Sequence, residues 1–168
     1  FGSTSRSNGG SSTQGTYYPP FDRRDFQIRG NRAEAKRWLR QAVVDAKLLE
    51  IMFEALHSEP EIACGVCFQA HQVAEKSLKA GKIYVLGLSE KALKTTKLIT
   101  HAYGLQKEVG HKASDLAILV SPLEDYLQKT RYPDLCDPPS IPATVFTCEQ
   151  AAVAVQNAKS ILSLIQNI

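Results

Sequence analysis

From Arg32 onward the apolar residues fall on helical spacing. Ala35, Trp38, Leu39, Ala42, Ala46, Leu49, Phe53 and Leu56 recur at steps of three and four, which predicts a long first helix. Val44, Leu48, Ile51 and Ala55 add an adjoining stripe, so the apolar surface is broader than one neighbour needs. A second partner, such as another copy of the chain, is the expected cover. Ser58 and Glu61 stand three apart in a capping-box arrangement, and Pro60 is allowed in a first turn, so a second helix is predicted from there to Leu86, where Gly87 supplies a stop. The two form an antiparallel hairpin joined by a tight turn.

Beyond Gly87 the periodicity weakens. A loop and then a short helix near His101 to Val109 are expected, followed by one kinked helix or two short ones around Pro122. Helical structure should end by Tyr132 because Pro133 disfavours the helical conformation of the residue before it. Pro133, Pro138, Pro139 and Pro142 predict an extended loop without a helix. Thr147 and Gln150 then form a second capping box, and Ala151, Val155, Ala158, Ile161, Leu162, Ile165 and Ile168 predict a final amphipathic helix. No strand pattern competes, so the fold class is all-α: an antiparallel, up-and-down helical bundle of about five helices. Residues 1–31, rich in Ser, Gly and Thr, are expected to be a disordered low-complexity linker, with the domain at 32–168. A linker in that place suggests a further domain upstream.

Composition narrows the class. An apolar fraction of 43% with 22% charged residues is that of a globular domain, and no apolar run approaches the ~18 residues of a membrane span. Nothing at the N-terminus has the order of a signal peptide, which makes a cytoplasmic protein with reduced cysteines the expectation. The net charge of +3 is too small to imply DNA binding by itself. Its distribution is uneven, however: Lys91, Lys94, Lys97, Lys107 and Lys112 crowd one segment, and an acidic segment follows from Asp115 to Asp137. Patches of this kind suit a weak anion site better than a nucleic-acid surface.

The stretch "CGVCFQAHQVAEKSLKAGK", residues 64–82, carries the candidate chemistry. Cys64, Cys67 and His71 share roughly one helical face, which makes a metal site geometrically conceivable. A tetrahedral site lacks a fourth ligand nearby, and no thioredoxin-like context supports redox chemistry, so Cys64, Cys67, Ala70 and Ala74 read better as small residues that let two helices approach closely. Lys76, Lys79 and Lys82 either edge an anion groove or face water, with Gln72 and Glu75 placed to orient them. His57, near a helix C-terminus, needs no further role. His101, beside basic residues and Tyr103, is the histidine best placed for a site. No phosphate-binding glycine loop and no nucleophile–base motif is present.

The runs "QVAEKSLKA" (72–80) and "TRYPD" (130–134), with "EAKRWLRQA" on the first helix and His101 between, resemble the HEPN family, and within it the sacsin-like C-terminal HEPN domains. The resemblance covers about residues 32–168. It implies a bundle of about five helices, homodimerisation through the long helices and, in some members, binding of nucleotides or other anions without a cofactor. For the sacsin-like members it further implies a J domain upstream and chaperone machinery as partner. Catalytic members use an arginine, then four to six residues, then a histidine. Here Arg131 is followed by Cys136, Asp137 and Pro138 at those positions, so no hydrolytic activity is expected. The expected module is non-catalytic and dimeric, with Lys76, Lys79, His101 and Arg131 on the phosphates of a nucleoside triphosphate and Tyr132 stacked on its base. The alternatives are a structural dimerisation module without a small ligand and, third, a divergent ribonuclease acting through Arg131 or His101.

Overall fold

The computed structural model describes residues 23–88, 93–95 and 97–168, with side chains from residue 31 onward. All regular structure among them is helical: α1 (Arg23–Ala55), α2 (Ala63–Leu86), α3 (Leu98–Val109), α4 (Leu116–Val120), α5 (Tyr126–Lys129), α6 (Pro142–Val145) and α7 (Cys148–Gln166). The all-α bundle expected from the periodicity is what forms. Helix α1 begins at Arg23, inside the segment assigned to the linker; residues 1–22 lie outside the described part of the chain.

Helices α1 and α2 are antiparallel: Asn31, near the start of α1, donates from Nδ2 to the carbonyl of Gly87 at the end of α2. Gly87 holds φ at +62° and closes α2 in the left-handed conformation that glycine adopts without a Cβ penalty. The other end departs from expectation. Pro60–Ile62 is a 3-10 turn, α2 begins only at Ala63, and the Ser58 hydroxyl donates back to the Ala55 carbonyl (3.1 Å) instead of capping the next helix. The predicted box at α7 does form, with Gln150 N donating to Thr147 Oγ1 (3.2 Å) and Thr147 N to Gln150 Oε1 (2.9 Å).

Pro122 breaks the helical path as expected: α4 gives way to a 3-10 turn at Ser121–Leu123 before α5. The proline-rich loop is not wholly extended. Pro133–Leu135 is a 3-10 turn, and Pro142, whose missing N–H is harmless at a first position, opens the one-turn helix α6.

Helix α2 is central, packed on α1, α7 and α3. Its face Cys67, Ala70, Ala74, Ser77, Gly81 steps by 3-4-3-4, is buried throughout, and carries only small residues. At Gly81 the fit is close: a Cβ there would stand 2.9 Å from Ile165 Cδ1 of α7 and 3.2 Å from Leu105 Cδ1 of α3. Around this seam Leu49, Leu78, Leu98, Leu105, Leu116 and Ile161 fill one contiguous core. Outside it, Val44 (53% exposed), Leu48 (47%) and Ile51 (64%) leave the second stripe of α1 uncovered.

Candidate anion-binding groove

The lysines of α2 meet different fates. Lys76 forms an ion pair through Nζ with Asp45 of α1, and lies 3.4 Å from Gln72 Oε1. Asp45 also accepts from Gln41 Nε2 (2.8 Å), while its backbone carbonyl accepts from Gln69 Nε2 (3.1 Å). Beside this pair an open groove of about 660 Å³ is lined by Arg37, Trp38, Arg40, Gln41, Val44 and Lys76. Glu34 fixes one edge, taking a hydrogen bond from Trp38 Nε1 (3.1 Å) and pairing with Arg37 (2.8 Å).

Lys79 sits deeper. Its ammonium pairs with Glu75 Oε1 (2.7 Å) and lies 5.2 Å from the centroid of the Trp38 ring, so Trp38 is at once a wall of the groove and a cover for Lys79. Lys82, the third lysine, runs over Gly104 of α3, where a Cβ would come within 3.3 Å of its Cε; burial lowers its pKa.

Arg131 donates from Nε to the Leu127 carbonyl (2.7 Å), and its guanidinium lies 4.9 Å from the Phe68 ring and 5.0 Å from the Tyr132 ring. Phe68 is two turns before Lys76 on α2, about 12 Å along the axis. Arg131 and Tyr132 thus lie against the same helix as the lysines but two turns from Lys76, outside the lining of the groove. Both are exposed, and the outer guanidinium nitrogens remain able to take a phosphate or carboxylate.

His101 is placed differently from its partners. It is fully buried, its Nε2–H donates to the Thr95 carbonyl (3.0 Å), and Nδ1 has no partner among the described residues. Burial pushes its pKa down, the neighbouring Lys82 and Lys79 act in the same direction, and the Thr95 bond and Glu75 oppose them. A neutral ring under the surface supports the site from below and does not reach a ligand in this conformation. His71 is likewise fully buried: Nδ1 lies 2.9 Å from the Leu123 carbonyl, and Nε2 faces Glu75 Oε2 at 3.8 Å, beyond hydrogen-bond distance.

Of the two cysteines expected in the packing only Cys67 is there; Cys64 is partly exposed, its thiol 3.7 Å from the Glu61 carbonyl one turn back. Cys67 is buried in the small-residue seam, and its thiol is pushed up to about 12, mainly by burial and then by Cys64, which disfavours the thiolate that a metal or a disulfide exchange requires. Among the described residues no three His, Cys, Asp or Glu side chains are grouped to hold a metal. The groove residues Arg37, Trp38 and Arg40 escape a search confined to α2; their signal is on α1, where Arg37, Arg40, Gln41 and Val44 share a face at steps of three and four.

Comparison with known proteins agrees with the fold and the motif. The HEPN domain model matches residues 35–168. Human sacsin is 31% identical over 157 residues, a match that takes in 92% of this chain and only 3% of sacsin. The crystal structure of TT1696 from Thermus thermophilus superposes with a TM-score of 0.65 at 25% identity, over 79% of this chain and 96% of that one. With its bundle, its lysine-bearing second helix and the family model all in register, the chain belongs to the HEPN domain family.

Proposed function

We propose that this HEPN domain is a non-catalytic, dimeric module that weakly binds nucleotides, or polyphosphate anions like them, in the groove between α1 and α2. The observation that carries the reading is the lining of that groove: Arg40, Arg37 in its pair with Glu34, and Lys76 in its pair with Asp45 surround the half-buried ring of Trp38, so groups for phosphate and base recognition sit within one 660 Å³ space. Lys79 adds charge behind the ring, while Arg131 and Tyr132 extend the basic, aromatic surface beyond Phe68. His101 acts in this reading as a buried support. No histidine follows Arg131 after four to six intervening residues, which speaks against the family's hydrolytic chemistry, since the acid–base imidazole of that motif is missing.

Trp38 is the single tryptophan, so its fluorescence reports on the groove directly. Titration with ATP and GTP is expected to give a saturable change that weakens with salt and is reduced at least severalfold in Arg40→Ala and Lys76→Ala. A flat titration, or one indifferent to both substitutions, overturns the anion reading.

A second reading, a dimerisation module without a small ligand, is favoured by the uncovered stripe Val44, Leu48 and Ile51. A second copy covering that stripe buries these three side chains beside the groove. Sedimentation at several concentrations should show a dimer that Leu48→Glu dissociates; a wild-type domain that stays monomeric removes both dimer readings. The likeness to sacsin supports, as part of this proposal, a setting in a cytoplasmic chaperone-related protein with a J domain upstream. No described helix is long and apolar enough to cross a membrane.

A further inference from the structure

Two fully buried histidines, His71 and His101, each have one ring nitrogen without a hydrogen-bond partner among the described residues, and both border the ion pair that holds Lys79. For His71 the bond to Leu123 fixes the tautomer. A carbonyl only accepts, so Nδ1 carries the proton, and in the neutral ring Nε2 is a lone pair. That lone pair faces Glu75 Oε2 at 3.8 Å, acceptor against acceptor, with nothing gained by closer approach. The other carboxylate oxygen, Oε1, is already bonded to Lys79 at 2.7 Å. Glu75 therefore joins a ring that can take up a proton to a lysine beside the groove, in the order His71, Glu75, Lys79, Trp38.

We propose that this line couples protonation to anion binding: a proton taken up at His71 Nε2 draws that ring onto Glu75 Oε2 and offsets the carboxylate, so Lys79 stands with less counter-charge behind the groove and an anion binds more tightly as the pH falls. The inference rests on the anion-binding reading above and names its regulation. Binding and protonation favour each other by the same factor, because the coupling is reciprocal. The charged and titratable groups around the line are few. On α2 they are Glu75, Lys79, Lys82 and, one turn before His71, Cys67; on α3 His101; on α5 Tyr126; and Glu124, whose Oε2 accepts from Ile99 N (2.9 Å) at the start of α3. Trp38 and Glu34 face it from α1. Among the described residues His101 has no carboxylate within ion-pair distance, so of the two buried rings His71 is the one with a carboxylate ready to stabilise its added proton.

The test uses adenosine 5′-phosphosulfate, whose charge does not change between about pH 6 and pH 7.5, with Trp38 fluorescence as readout, so that any pH dependence comes from the protein. The wild-type domain is expected to bind about fivefold more tightly at the lower pH, and Glu75→Gln to bind tightly at both, without the pH dependence. Glu75→Gln retaining the full dependence overturns the proposal, as does a His71→Gln domain that folds and keeps it. The local link has its own readout. In NMR spectra the His71 ring signals should move with pH, with a midpoint that falls in Glu75→Gln and rises when the anion is present. A His71 titration indifferent to Glu75→Gln sinks the coupling even if the anion binds. A probe that fails to bind at either pH overturns the coupling, and the groove reading falls with it when the ATP and GTP titrations are flat as well.

Discussion

Helix α2 carries two seams side by side, and they are built on opposite principles. Cys67, Ala70, Ala74, Ser77 and Gly81 form a seam of small residues, fully buried, in which the one hydroxyl is satisfied inside the helix by the Val73 carbonyl (2.7 Å). About a third of a turn away, His71, Glu75, Lys79 and Lys82 form a seam of long polar side chains that reach α1, α3 and the Leu123 turn. The first seam specifies how close the helices come, and its energy is dispersion and burial summed over many atoms. The second specifies which groups meet, at the cost of desolvating charges that must then find partners. One helix thus separates the job of packing from the job of presenting chemistry.

Breaking the small seam should have the largest effect. Ala74 is fully buried in the middle of it, with the close contact at Gly81 two turns on. Ala74→Leu adds three carbons where the helices have no room, and should destabilise the domain by about 3 kcal/mol through forced rotamers and backbone shifts. Chemical denaturation measures it. If Ala74→Leu is tolerated within ~0.5 kcal/mol, the seam is not close-packed and the contrast with the polar seam falls.

The charged contact should respond less. Lys76→Met keeps the aliphatic stem and removes the charge, leaving Asp45 with Gln41 Nε2 as its remaining side-chain donor. Both side chains are partly exposed, so water screens the loss, and about 1–2 kcal/mol is expected instead of the larger figure for a fully buried pair. The double variant Asp45→Asn with Lys76→Met should recover part of it, and a cycle with no coupling between the two positions would make the pair decorative.

The three long helices were legible because each spreads enough apolar positions to show its period, and α7 and α2 also carry their own punctuation in Thr147, Gln150 and Gly87. The Ser58–Glu61 pair has the letters of a capping box but not the geometry. Pro60 and the turn that leaves α1 put a 3-10 turn where the first helical turn was expected, and the Ser58 hydroxyl is used up on Ala55. The site was legible in part. Of the residues singled out, Lys76 lines the groove and Lys79 stands behind Trp38, whereas Arg131 and Tyr132 lie by Phe68, two turns away; the groove also needs Arg37, Trp38 and Arg40 from α1, and only the hairpin's register brings them opposite Lys76. His101 looked available because basic residues flank it. Leu98, Ala102 and Leu105, three before, one after and four after it, are the face that α3 buries, and the histidine belongs to that face.

That burial gives the smallest and most specific prediction. The folded-state pKa of His101 lies below the ordinary value of 6.5. Below that value the unfolded chain takes up a proton that the folded one refuses, so acid favours unfolding. The contribution of the neutral ring is therefore fully present above about pH 6.5 and is lost progressively as the pH falls toward the folded pKa. At pH 6 the loss is under ~1 kcal/mol, since the unfolded state is then only partly committed to the proton. His101→Gln, which keeps a donor for the Thr95 carbonyl, should flatten this part of the stability profile, at the cost of a lower plateau from imperfect packing. A wild-type domain whose stability does not change between pH 7.5 and pH 6, with a His101→Gln profile parallel to it, would show that His101 accepts its proton in the folded state. The buried face of α3 would then be better solvated at His101 than its place beside Leu98, Ala102 and Leu105 implies.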